Sequence, residues 1–191
     1  MTLRLIEKLT TIPLWVHATA TVGAFAAFQG VKSVLDKSYA ASLHPVDYVT
    51  GQTSFNGETI KGYYAVMQDA GTLDAYRTTQ IIDFGFLAAM ACFGILLATL
   101  VARFSHPGSW GRRLGLFAGL AALAGASCDA IENAWSFVML SDPVGFADWL
   151  ALPYSGFAVT KFALITAAML LVLLSLVFLV IGRSLKDSRL G

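Results

Sequence analysis

Asp129, Glu132, Asn133 and Ser136 fall at i, i+3, i+4 and i+7, the spacing that aligns four side chains along one stripe of a helix. Two carboxyls, an amide and a hydroxyl so aligned can give, take and orient a proton, which is acid/base equipment. Asp129 and Glu132 are the only charged residues in the apolar stretch from Leu114 to Leu140. Asp83 interrupts a second such stretch, Ile81 to Ala102, and Lys161 stands just ahead of another, Phe162 to Ile181. A charge at the centre of a bilayer costs at least about 2.5–3.5 kcal/mol on insertion scales, so these side chains are expected to face protein or a wet cavity, not lipid.

Three acids, Asp83, Asp129 and Glu132, share this set with one base, Lys161, and Arg77 is a possible second partner at the rim. Like charges crowded into a dry site resist full ionisation, which would leave one carboxyl holding a proton it can donate. On that reading Glu132 or Asp129 is the catalytic donor or acceptor and Asn133 the orienting amide. Asp83, Asn133, Lys161, Ser136 and Trp135 are then ligand-binding. No cofactor or metal is expected, because His17 sits alone in an apolar run while His44 and His106 fall in loops on opposite sides, and a haem or zinc needs convergent ligands. Cys92 and Cys128 form no CxxC and differ in depth, so both are expected to be free, buried thiols, which argues against disulfide-generating chemistry. Ser127 and Ser155 have no neighbouring histidine to activate them, and no glycine loop for phosphate is present.

The elements that must position these residues follow from composition. Of 191 residues, 57% are hydrophobic and 13% charged, where a soluble domain carries about 25% charged residues. The mean hydropathy is +0.68. A spanning helix needs about 20 mainly apolar residues, and four stretches qualify, at about 9–31, 81–102, 114–140 and 157–181. The predicted fold class is therefore all-α: one domain over 1–191, an integral membrane four-helix transmembrane bundle with a small extracytoplasmic helical cap. The first apolar run is longer than the roughly 7–15 residues of a secretory h-region and is expected to remain as an anchor. Rising about 1.5 Å per residue from Leu114, Asp129 lies about 22 Å up and Glu132 about 27 Å, a level shared with Asp83 and Lys161, while His17 lies about 20 Å or more below.

Lys and Arg cluster at Arg4 and Lys8, at Arg103, Arg112 and Arg113, and at Arg183, Lys186 and Arg189. Basic residues stay on the cytoplasmic side in short loops, which predicts both termini inside, in a cell (inner) or plasma membrane. The outer side then receives a long loop, 32–80, in which Ile60, Tyr63, Tyr64 and Met67 have helical spacing, predicting an amphipathic helix at about 57–70. Asn56 is its expected N-cap, Gly71 its stop, and Thr72 the cap of a helix running into the second span. Trp149, near Pro143 and Pro153, reads as an interfacial anchor. Gly115 with Gly119, Ala118 with Ala122 and Ala121 with Gly125 form small-xxx-small pairs that permit close helix approach.

Four spans with intramembrane carboxylates and an asparagine resemble the emopamil-binding (EXPERA) sterol isomerases in architecture alone, and no residue role is carried over. The outline is similar to claudins too, but the outer loop lacks the cysteine pair expected of them. Three functions fit these residues. The first is a carboxylate-lined pocket near the outer leaflet for a membrane lipid or small lipophile, with or without acid/base chemistry. The second is a structural or accessory subunit, with a membrane-protein partner or a homo-oligomer, whose acidic stripe holds helices together. The third is proton or cation transport, which must find a path past a stretch, Leu114 to Ala126, holding only Ala, Gly, Leu and Phe. Lys plus Arg total 13 against 12 acids, so no nucleic-acid partner is expected.

Overall fold

The computed structural model describes residues 2–187, with side chains through residue 182, so Arg189 and the side chains of Arg183 and Lys186 lie outside the described residues. Among the described residues the chain is helical and has no strands. The helices are α1 (Thr2–Lys8), α2 (Leu14–Ala41), α3 (Tyr48–Gln52), α4 (Gly57–Asp69), α5 (Leu73–Arg103), α6 (Trp110–Leu140) and α7 (Ala151–Asp187). Three helices are long and apolar enough to cross a membrane, in Leu73–Arg103, Trp110–Leu140 and Asp148–Gly182, and up to four if the bent pair Thr2–Thr11 and Leu14–Ala41 counts as one span. Such helices are those of an integral membrane protein.

The first apolar run, expected as one span at 9–31, is interrupted by a 116° bend. Pro13 crowds the residue before it out of helical conformation, and Ile12 is extended, with φ −65° and ψ 156°. The Pro13 carbonyl then accepts from the His17 N–H at 3.0 Å and starts α2. That helix runs ten residues past Val31 because its polar end is supported locally: Lys32 pairs with Asp36 at 2.5 Å, i to i+4. The last helix begins at Ala151, ahead of the expected 157, because Pro153 falls in its first turn, where a missing N–H breaks no helical bond.

Local chemistry sets α4 as well. The Asn56 side chain accepts from the Thr59 N–H at 2.9 Å. At the other end Gly71 takes φ +69°, its N–H bonds the Gln68 carbonyl at 3.0 Å, and the Thr72 N–H bonds Met67 at 2.8 Å, a Schellman stop. Thr72 holds the cap position of α5 with its carbonyl, which accepts from Tyr76 N–H at 3.2 Å. Its hydroxyl donates to the Ser42 carbonyl at 2.6 Å, tying the helix start to the end of α2.

Packing divides the chain into two compact units. One holds residues through Ala26, Met90–Gly125 and residues from Ala163 onward. Its core gathers Ile6, Ala102 and Leu116, with Leu3, Ile95 and Leu120 against them. The close approach of α5 and α6 here uses Gly115, where an added Cβ would stand 2.8 Å from the Ala102 Cβ and 3.0 Å from the Ala98 carbonyl. The other unit holds Ala27–Ala89 and Ala126–Phe162. Its core is more aromatic, built on Ile60, Tyr64, Met67, Tyr76, Met139 and Tyr154. Every residue of the charged stripe belongs to this second unit.

Candidate functional site

Helix α6 carries Asp129, Glu132, Asn133 and Ser136 on one face, and all four are buried. Lys161, in the third turn of α7, is buried beside them, its ammonium donating to Asp129 Oδ1 at 2.7 Å and to Glu132 Oε2. The same ammonium lies 5.1 Å from the centre of the Phe162 ring. Asp83 comes from α5, where its carboxylate accepts from the Asn133 Nδ2 at 2.6 Å. Three helices thus contribute to one polar layer, with Lys161 bridging both acids of α6 and Asn133 reaching the third.

Several atoms in this layer have no partner. Glu132 Oε1, Asn133 Oδ1 and Ser136 Oγ are buried and unbonded, as are Tyr64 OH and Gln80 Oε1. Tyr64, Tyr76 and Tyr154, from α4, α5 and α7, are buried in one cluster, with the Tyr64 and Tyr76 ring centres 5.8 Å apart. Burial pushes the Tyr64 phenol well above its ordinary range, so it remains a neutral donor or acceptor at physiological pH. Gln80 and these tyrosines were not among the expected site residues, although Tyr64 was expected on the apolar face of α4. Tyr76, Gln80 and Asp83 stand at i, i+4 and i+7, so their shared face on α5 was legible in the spacing.

Other expected members lie elsewhere. Arg77 does not join Lys161: its guanidinium donates to Asp74 at 2.6 Å and to the Leu140 carbonyl at 2.9 Å. A free carbonyl at the end of α6 is a good acceptor for a cation, and it captures the arginine before the acids can. Trp135, expected among the ligand-binding residues, is half-buried against the aromatic core and meets Trp149 edge-on at 6.2 Å. Trp149 itself is 59% exposed. Both cysteines are free, but neither is buried as expected: Cys92 is exposed and Cys128 half-buried, because α5 is apolar on every side at Cys92, where the sequence does not mark its inner face, and Cys128 lies off the buried stripe of α6. His17 is fully packed, with Nε2 bonded to the Leu96 carbonyl at 3.0 Å and Arg103 reaching Nδ1 at 3.3 Å. Among the described residues no three His, Cys, Asp or Glu side chains are grouped as a metal site would require.

An aromatic cluster stands around His44. The ring stacks on Tyr39 at 5.2 Å and lies 5.2 Å from Tyr63 and 5.3 Å from Tyr76. Its Nδ1–H donates to the Val46 carbonyl at 2.9 Å. Gly51 leaves room for this ring, since a Cβ there would stand 2.9 Å from the imidazole. Burial lowers the His44 pKa below its ordinary value, against the smaller opposing pull of the Val46 bond and Asp47.

No protein-family model, curated protein or solved structure matches the chain.

Proposed function

We propose that the chain is a four-helix transmembrane bundle, capped on the outer side by α4, that binds the polar end of a lipid or small lipophile beside Glu132. The observation that carries this reading is the set of buried, unbonded atoms on the α6 stripe: Glu132 Oε1, Asn133 Oδ1 and Ser136 Oγ. A buried polar atom left without a partner costs about 1–3 kcal/mol, so a guest that completes several such bonds is bound strongly. Asn133 Oδ1 accepts only, as does Glu132 Oε1 when ionised, and the layer holds three carboxyls against one ammonium. The complementary guest carries hydrogen-bond donors, a hydroxyl or an amine, and not a carboxylate. Glu132, held by Lys161 through one oxygen and open at the other, is the group best set to take or give a proton if chemistry follows binding. The positive residues near the termini and between α5 and α6 support cytoplasmic termini in a plasma or inner membrane.

The test uses the full chain in lipid nanodiscs and asks by native mass spectrometry whether dodecanol or dodecylamine is retained in preference to dodecanoate. Because Asp129 still pairs with Lys161, Glu132→Gln is expected to preserve the unfolding temperature and to abolish that preference. A second reading is favoured by a separate observation: Lys161 saturates one oxygen of each acid and joins α6 to α7, as a structural staple would. For an accessory or self-associating scaffold, Glu132→Gln instead lowers the unfolding temperature or partner association and leaves lipophile retention unchanged.

A further inference from the structure

The unit that lacks the charged layer has a cleft of its own. Where residues 104–109 join α5 to α6, a space of about 110 Å³ opens between Phe104, Ser105, His106 and Ser109 and, from α7, Phe178 and Leu179. No carboxylate is among its described lining residues. Ser105 is only 7% exposed, and its hydroxyl has no hydrogen-bond partner. That hydroxyl faces the first turn of α6: a Cβ on Gly111 would stand 2.7 Å from it, so only glycine keeps the approach open.

The first turn of α6 begins a helix of 31 residues. Its leading N–H groups have no acceptors within the helix, and its dipole favours an anion there. Ser109 satisfies this end only loosely, its hydroxyl meeting the Arg112 N–H at 3.3 Å. Two cationic or titratable side chains, His106 and Arg113, are exposed beside the turn, and Arg113 lies 5.6 Å from the Trp110 ring centre. Arg112 is already held by Glu7 at 3.2 Å and Thr10 at 2.9 Å. The remaining wall is apolar and open, with Phe104 46% and Phe178 44% exposed. One end of the cleft is thus polar, with Ser105, His106 and Ser109, and the other is a hydrocarbon surface.

We infer that this cleft binds the phosphate monoester of an anionic phospholipid. The Ser105 hydroxyl and the first N–H groups of α6 donate to the phosphate oxygens, and an acyl chain lies along Phe104 and Phe178. This site is independent of the reading given for Glu132 and stands if that reading fails.

Full-length protein in phosphatidylcholine nanodiscs, doped equally with phosphatidic acid and the diacylglycerol of the same chains, tests it by native mass spectrometry. One phosphatidic acid per chain is expected to be retained over diacylglycerol by about tenfold or more, the size of one charge-assisted hydrogen bond. Ser105→Ala is expected to lose most of that preference with its unfolding temperature in pure phosphatidylcholine unchanged. His106→Ala, at an exposed position, repeats the test should the serine variant fold poorly. Equal retention of the two lipids, or a preference that survives both variants, overturns the site. In a separate arm, inorganic phosphate raising the unfolding temperature as much as phosphatidic acid does assigns the cleft to a soluble phosphate and overturns the lipid source.

Discussion

Lys161 is the residue on which the charged layer depends. Its ammonium is the only cation bonded to Asp129 and Glu132 among the described contacts. Removing one partner of a buried ion pair leaves an uncompensated charge, at a cost of about 3–5 kcal/mol. Lys161→Met is expected to destabilise the protein by about that much in detergent unfolding titrations, and a loss under about 1 kcal/mol contradicts the arrangement. His44 gives a pH-dependent counterpart outside the membrane-spanning segments. Its folded pKa is depressed, so the folded state holds a neutral imidazole while the unfolded chain binds a proton at its ordinary value. Stability from this group is present above about pH 6.5 and is lost as pH falls toward the folded value. Tyrosine near-ultraviolet circular dichroism is expected to weaken on acidification across that range, and His44→Gln to flatten the response.

Among the helices, glycines separate into those that carry a close approach and those that do not. A Cβ on Gly115 meets Ala102 and the Ala98 carbonyl within 3.0 Å, and α5 and α6 would have to move apart to admit it. Gly115→Ala is therefore expected to cost about 1–3 kcal/mol in an unfolding titration. Gly62, on the exposed side of α4, has nothing within 4 Å. There Gly62→Ala should raise stability by about 0.5–1 kcal/mol through helix propensity alone. The small-residue spacing of Gly115 and Gly119 was plain in the sequence, but its partner was not. Gly115 packs on Ala98 and Ala102, whereas Gly125 packs on Leu164 and Ile165. Alanine-rich helices present small residues on several faces, and only the fold selects which face meets which neighbour.

For the whole molecule the proposed orientation makes a labelling prediction. In a chain with Cys92→Ala and Cys128→Ala, a cysteine at Gly62 and one at Pro107 should lie on opposite sides of the membrane. A membrane-impermeant maleimide added to intact cells should modify Gly62→Cys, and Pro107→Cys only after permeabilisation. Labelling of both from outside would refute the orientation derived from Arg103, Arg112 and Arg113.

Sequence alone determined what is governed by neighbours along the chain. Asn56 caps α4, Gly71 ends it in a left-handed turn, and Asp129, Glu132, Asn133 and Ser136 share a face, because capping, φ and helical period act over a few residues. Apolar length marked the candidate spans, although Pro13 bends the first and Pro153 extends the last. Only the tertiary structure decided that Lys161 reaches both acids, that Asn133 bonds Asp83, and that Arg77 turns to the end of α6. Those pairings join residues 29 to 63 positions apart, and nothing in a local pattern specifies which of several opposite charges or acceptors will be nearest.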